Sequence, residues 1–185
     1  VGDVSDEALR VLVERLPRLR SLALGSSACL LEATTGMPRA RLRSLSLLSP
    51  LGDGACGALA AWRSLRHLWL GPHKLMQRGV GTESSISDAG LELLAAGCRQ
   101  LLDLTVATRQ ATDRGAKAVL LSCSDLRRLR LGGRGITDDT LALLADLSQP
   151  RLERLGLWFS GVTPHGLRLA ERRTPWMYLD VEVSS

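Results

Sequence analysis

A six-residue pattern, L-x-x-L-x-L, constrains this chain more than any other feature. The heptad RLRSLAL at 18–24 returns as RLRSLSL at 41–47, and weaker copies follow as SLRHLWL, DLRRLRL and RLERLGL. Aligned on its first apolar position, the pattern starts at Leu19, Leu42, Leu65, Leu101, Leu126, Leu152 and, in degenerate form, Trp176. The spacings are 23, 23, 36, 25, 26 and 24 residues. A self-similarity with a period in the twenties is the mark of a solenoid. Positions four and six of each copy, such as Leu22 and Leu24, alternate with polar neighbours. That is the period of a short strand with one buried face.

A second pattern fills the gaps. VSDEALRVLVERL from Val4, ISDAGLELLAAGC from Ile86, ATDRGAKAVLLSC from Ala111 and ITDDTLALLADLS from Ile136 align, and VTPHGLRLAERRT from Val162 is a looser version. Each opens on an apolar residue and then Ser or Thr, which suits a helix N-cap. Asp6, Asp88, Asp113 and Asp138 follow and place negative charge near the positive end of the helix dipole. Pro164 takes the same place in the fifth copy, where a missing N–H costs nothing. Apolar residues then recur at i, i+3, i+4 and i+7: Leu9, Leu12, Val13, Leu16; Leu91, Leu94, Ala95, Cys98; Ala116, Val119, Leu120, Cys123. That is one helical face. The spacing predicts helices near 5–16, 87–98, 112–123, 137–147 and 163–171. Residues 25–40 lack the capping signature and are expected to be the least regular unit. Gly90, Gly115 and Gly166 recur in the first turn, where Gly costs up to ~1 kcal/mol against Ala. Their recurrence implies close packing on a neighbouring unit.

A single strand–turn–helix unit cannot cover both its strand face and its helix stripe, and stacking supplies the cover. The expected fold is α/β: a curved parallel sheet of about seven repeats with helices on the convex side. These repeats resemble the leucine-rich repeat superfamily. ISDAGLELLAAGCRQLLDLTV, Ile86 to Val106, is similar to the cysteine-containing subtype of F-box substrate receptors and of the antagonist-of-mitotic-exit proteins. That subtype runs I-T-D-x-G-L-x-x-L-A-x-G-C-x-x-L-x-x-L-x-L, with Cys or Asn three residues after the last strand Leu. Here those places hold Ser27, Pro50, His73, Arg109, Arg134 and Ser160. The resemblance spans nearly all of residues 1–185, which read as one leucine-rich repeat domain and as a fragment of a longer protein. It implies a protein-binding scaffold in a ubiquitin ligase complex, engaging a Skp-type adaptor only if an F-box lies upstream of Val1.

The chemistry of catalysis is missing from the sequence. His67, His73 and His165 are scattered, and no G-x-S-x-G, P-loop or H-E-x-x-H is present. Cys29, Cys56, Cys98 and Cys123 form no CxxC and no Cys/His cluster, so neither a metal nor another cofactor is expected. Cys98 and Cys123 hold equivalent places and read as small core hydrophobes. No signal peptide and no 18-residue apolar run occurs, so a cytoplasmic or nuclear protein with reduced thiols and no membrane span is expected.

Binding is then the expected role, on the concave face. Motif positions three and five point there: Ser21/Ala23, Ser44/Ser46, His67/Trp69, Asp103/Thr105, Arg128/Arg130, Arg154/Gly156 and Tyr178/Asp180. The first two layers are small, and from the third the face turns large and charged. His67, Trp69, Asp103, Arg128, Arg130, Arg154, Trp158 and Tyr178 are the candidate partner-binding residues. One reading is a site for an acidic or C-terminal-tail segment, with arginine reading carboxylate or phosphate. The other is a solvated face with Trp covering Arg methylenes. The net charge of +5, carried by 24 basic residues that are nearly all arginine, favours an acidic partner or reflects coding bias in a GC-rich genome. A second ladder, Arg20, Arg43, Arg66 and Arg127, lacks interleaved aromatics, which argues against nucleic acid. The insertion at 71–85 leaves beside Trp69 and is either a binding edge or a tolerated loop. Three functions stay open: a substrate-recruiting solenoid, a structural subunit of a larger cytoskeletal or organellar assembly, and a nucleic-acid or phospholipid binder.

Overall fold

Each copy of the heptad is a strand, and each N-capped segment that can be traced is a helix. The computed structural model describes residues 15–16, 18–25, 42–71, 84–147 and 151–183. The elements run β1 Ser21–Leu24, β2 Ser44–Leu47, α1 Asp53–Leu59, β3 His67–Leu70, α2 Asp88–Gly97, β4 Asp103–Val106, α3 Asp113–Ser122, β5 Arg128–Gly132, α4 Asp138–Leu147, β6 Arg154–Ser160, α5 Pro164–Arg173 and β7 Tyr178–Val183. The strands form one sheet in the order β1-β2-β3-β4-β5-β6-β7, every pair parallel. This is an α/β architecture consistent with a curved solenoid. The expected helix at 5–16 and the irregular unit at 25–40 lie almost wholly outside the described residues.

The register repeats because the carbonyl at motif position two serves two donors in the next layer. Arg20 O accepts from Arg43 N and Ser44 N, at 2.8 and 2.9 Å, and Arg43 O does the same for Arg66 N and His67 N. The series continues at Arg66, Leu102 and Arg127. Positions one, four and six then stack as leucine on leucine. Leu42, Leu65, Leu126 and Leu152 are fully buried, as are Leu45, Leu104, Leu129 and Leu155. They form one core with the helix stripes, so the helices cover one face of the sheet and leave the other open.

Three expectations are corrected at the ends of the stack. Trp176 is 49% exposed, and its neighbour Met177 takes the buried place. Leu22 is only half-buried in the first layer, while Leu129 is fully enclosed in the fifth. Leu16, assigned to a buried stripe, is 49% exposed. Each of these side chains meets water in part, while the equivalent positions in the inner layers are enclosed. A further correction is α1, which was not expected. Gly52 at its N-cap offers no side-chain hydrogen bond, so the capping signature is missing.

The aspartates at the helix starts do more than complement a dipole. Asp53 accepts from Ser87 N at 2.8 Å and from Ser87 Oγ at 2.6 Å. Asp88 accepts from Thr112 N at 2.8 Å and Thr112 Oγ1 at 2.5 Å, Asp113 from Thr137 at 2.9 and 2.6 Å, and Asp138 from Thr163 at 2.8 and 2.6 Å. Each capping hydroxyl donates to the preceding layer while its oxygen caps its own helix, as Ser87 Oγ does for Ala89 N at 3.2 Å. Hydrogen bonds to a charged group contribute about 1.5–3 kcal/mol each. For Asp138, desolvation pushes the carboxyl up. The Thr163 hydroxyl and N–H, with His165 and the Gly166 N–H, outweigh it and hold the group below its ordinary value. The unfolded chain then binds more protons at acid pH, so this link is present at neutrality and lost as pH falls through that lowered value.

The recurrent glycines follow from the same link. A Cβ on Gly90 would lie 2.3 Å from Asp53 Oδ1, one on Gly115 would lie 2.5 Å from Asp88 Oδ1, and one on Gly166 would lie 2.1 Å from Asp138 Oδ1. In α4 the position is Thr140, whose hydroxyl instead donates to Asp113 Oδ1. Gly115→Ala should therefore destabilise the protein by roughly 1–3 kcal/mol through overpacking, against the ~1 kcal/mol that Ala gains in a helix. Gly57 in α1 is exposed, with its nearest neighbour Leu93 Cδ1 at 3.6 Å from an added Cβ. Gly57→Ala should be neutral or stabilising. Urea unfolding of both variants checks this, and a stabilised Gly115→Ala would remove the carboxylate from the account.

Candidate functional site

The open face consists of two rows, because register stacks equal motif positions. One row runs Ser44, His67, Asp103, Arg128, Arg154, Tyr178, and the other Ser46, Trp69, Thr105, Arg130, Gly156, Asp180. Trp158 sits beyond them, paired with Gly132. Adjacent strands are about 4.8 Å apart, so Trp69 on β3 and Trp158 on β6 are separated by roughly 14 Å. The structure therefore brings the β5–β7 residues Arg128, Arg130, Arg154 and Tyr178 together. It leaves His67 and Trp69 as a separate patch.

The face is less open and less basic than its sequence implies. Thr105 is 2% exposed, between Trp69 and Arg130 in its row, so this position-five side chain does not face solvent. Arg128 Nε lies 3.0 Å from Asp103 Oδ2. Both groups are partly exposed, so the pair is worth at most ~1 kcal/mol, but it neutralises one arginine. The Arg154 guanidinium lies 5.8 Å from the centre of the Tyr178 ring, near the limit of a cation–π contact. Tyr178 itself is 64% exposed. Arg130 and Arg154 make no ion pair among the described residues. Trp69 is half-buried, and its Nε1 donates to Gly71 O at 3.0 Å. Gly71 has φ of +105°, and a Cβ there would meet Ala107 Cβ at 2.7 Å, so only glycine turns the chain out of β3 here.

The insertion is anchored at its return. Ser84 Oγ accepts from Leu51 N at 3.2 Å, and Thr108 Oγ1 donates to Ser84 O and, at 2.6 Å, to Ile86 O. Residues 72–83, the body of the loop expected to close over this edge, lie outside the described residues. The position-two arginines Arg20, Arg43, Arg66 and Arg127 are all exposed, and Arg127 pairs with Glu153 at 3.4 Å. Sequence reasoning missed Arg109, whose guanidinium lies 4.2 Å from the centre of the Phe159 ring. Phe159 has φ of 49°, inside a register shift between Leu157 and Ser160. The adjacent aromatics Trp158 and Phe159 were the available signal; the bulge that aims them was not legible.

No three His, Cys, Asp or Glu side chains converge as a metal site among the described residues. No described helix is long and apolar enough to cross a membrane. Cys56, Cys98 and Cys123 are free and fully buried, with Cys98 and Cys123 in adjacent layers; Cys29 lies outside the described residues. Cys98 Sγ donates to Leu59 O at 3.3 Å and Cys123 Sγ to Cys98 O at 3.7 Å, so each thiol joins its layer to the one before. Burial pushes Cys56 and Cys98 up to about 12 and Cys123 to about 11. These are structural thiols, not nucleophiles. No protein-family model matches the chain, and no curated protein matches it.

The raised thiols set a pH dependence. The unfolded chain ionises its cysteines near 9.0, while the folded chain keeps them protonated to about 11 or 12. Above pH 9 the folded state binds more protons than the unfolded one, so stability falls as pH rises across that window. Denaturant midpoints measured from pH 7 upward should decline more steeply for wild type than for a Cys98→Ala/Cys123→Ala double variant. Parallel curves would show that these thiols ionise alike in both states.

Proposed function

We propose that this chain is a protein-interaction module: a leucine-rich repeat domain whose open sheet face receives an acidic polypeptide segment. It resembles the substrate-recruiting domain of an F-box ubiquitin-ligase receptor. The observation that carries the reading is the contrast along one face. Serines line the open side of β2, while Arg130, Arg154 and Tyr178 crowd β5–β7, and neither arginine has an acidic partner among the described residues. Arginine and tyrosine are enriched where binding energy concentrates. Recruitment in a ligase complex further requires an F-box upstream and a Skp-type adaptor, and belongs with a cytoplasmic or nuclear location.

A second reading is a structural subunit of a cytoskeletal or organellar assembly. It is favoured by Leu93, Leu121 and Leu169, exposed by 46%, 53% and 40% on α2, α3 and α5. A contact there would cover the helical side instead of the sheet.

Selection of a displayed random-peptide library on the immobilised chain, followed by calorimetric titration, separates the two. Selected peptides should be acidic. Trp69→Ala should cost about 2 kcal/mol of binding. Arg130→Glu should weaken it strongly, and added salt should weaken it further. Peptides that ignore both substitutions but are lost with Arg20→Glu would make the exposed arginine ladder the working surface. Peptides lost only with Leu121→Asp would favour the structural subunit.

A further inference from the structure

Gly156 is the one glycine in either row of the open face, and it makes a hollow. A Cβ there would come within 3.1 Å of Arg130 Cγ and 3.7 Å of its Cβ and Cδ, so the Arg130 side chain lies across the vacant position. In register the row reads Arg130, Gly156, Asp180, which puts an arginine and an aspartate two strand spacings apart with no side chain from the residue between them. The result is a depression of about 370 Å³ lined by Arg130, Arg154, Leu155, Gly156, Tyr178 and Asp180. That is the small end of ligand-sized clefts, which run about 300–1,000 Å³. It suits the end of a chain better than a long segment.

We infer that this hollow seats the terminal carboxylate of a partner polypeptide. The inference rests on the reading of the open face as protein-binding and specifies its anchor. Two guanidinium groups that make no ion pair among the described residues supply forked donors matched to a carboxylate. Asp180 across the hollow is an acceptor, and the last peptide N–H of an incoming chain is a donor beside its carboxylate. Charge also selects. Two arginines against one aspartate leave +1, which a carboxylate balances. A phosphate carries about −1.5 to −2 at neutral pH and would leave excess negative charge beside Asp180. The exposed Tyr178 ring borders the same hollow and offers a flat apolar surface to the terminal side chain.

The test uses small probes and the whole ¹⁵N-labelled chain at constant ionic strength. N-acetylglycine carries a terminal carboxylate with its N–H, N-acetylglycinamide lacks the charge, and the amide of N-acetylglutamate carries a side-chain carboxylate. Arginine Nε–Hε resonances, assigned with Arg130→Lys and Arg154→Lys, report contact. N-acetylglycine should move both resonances at concentrations where the other two probes and inorganic phosphate move neither. Gly156→Val, which fills the hollow, should weaken N-acetylglycine by about tenfold or more. Arg154→Gln, at an exposed position that leaves the core intact, should do the same if Gly156→Val fails to fold. Asp180→Asn should narrow the preference for N-acetylglycine over acetate. Equal response to phosphate or to the glutamate probe, or no response at Arg130 and Arg154, overturns the inference. Selected peptides that bind through Trp69 and are indifferent to Gly156→Val would overturn it too while leaving the protein-binding face standing. Loss of peptide binding to the face altogether would remove both.

Discussion

The hydrogen bond between a helix-start aspartate and the capping hydroxyl of the next layer ties the helical side of one unit to the next, from Asp53 to Thr163, as the position-two carbonyls do for the strands. The carboxylate allows one position only, because it must meet both the N–H and the O–H of the same residue. From that demand come the Ser or Thr at the cap, the Asp after it, and glycine two residues on, where a methyl group would strike the carboxylate. Thr140 shows the alternative solution, with a side chain that adds a bond to the carboxylate instead of giving it room.

Most of the repeat was legible because its signals are local. Alternating leucines specify a strand, and a capped apolar stripe specifies a helix, so the helices at 88–97, 113–122 and 138–147 fall within a residue or so of the spacing that predicts them. What was not legible depends on neighbours. α1 escapes because its start is Gly52 and its stability comes from packing Ala55, Cys56 and Leu59 on the layers beside it. Asp88 reads as a dipole partner until the next helix is in place. Trp176 reads as a core residue until the last layer leaves it uncovered.

The candidate face shows the same divide. Strand alternation correctly sends Trp69, Arg128, Arg130, Arg154 and Tyr178 to one side. It says nothing of which charges cancel. Asp103 takes Arg128, Tyr178 lies under Arg154, and Thr105 disappears between its larger neighbours. A row of arginines in the sequence becomes in space one neutral pair and a hollow with two cations and one anion. The residue that shapes the hollow, Gly156, was passed over because it contributes no side chain to it.

The Ser/Thr–Asp dipeptide has a genetic consequence. The hydroxyl reaches back to the previous unit and the carboxylate reaches forward to the next, so the units that open at Ser87, Thr112 and Thr137 carry both halves of a coupling. Tandem duplication of such a unit creates a junction that already fits, and deletion leaves one that closes again. Thr163–Pro164 keeps the backward half and discards the forward one. A unit placed after α5 would find no aspartate at the start of that helix to receive its capping hydroxyl.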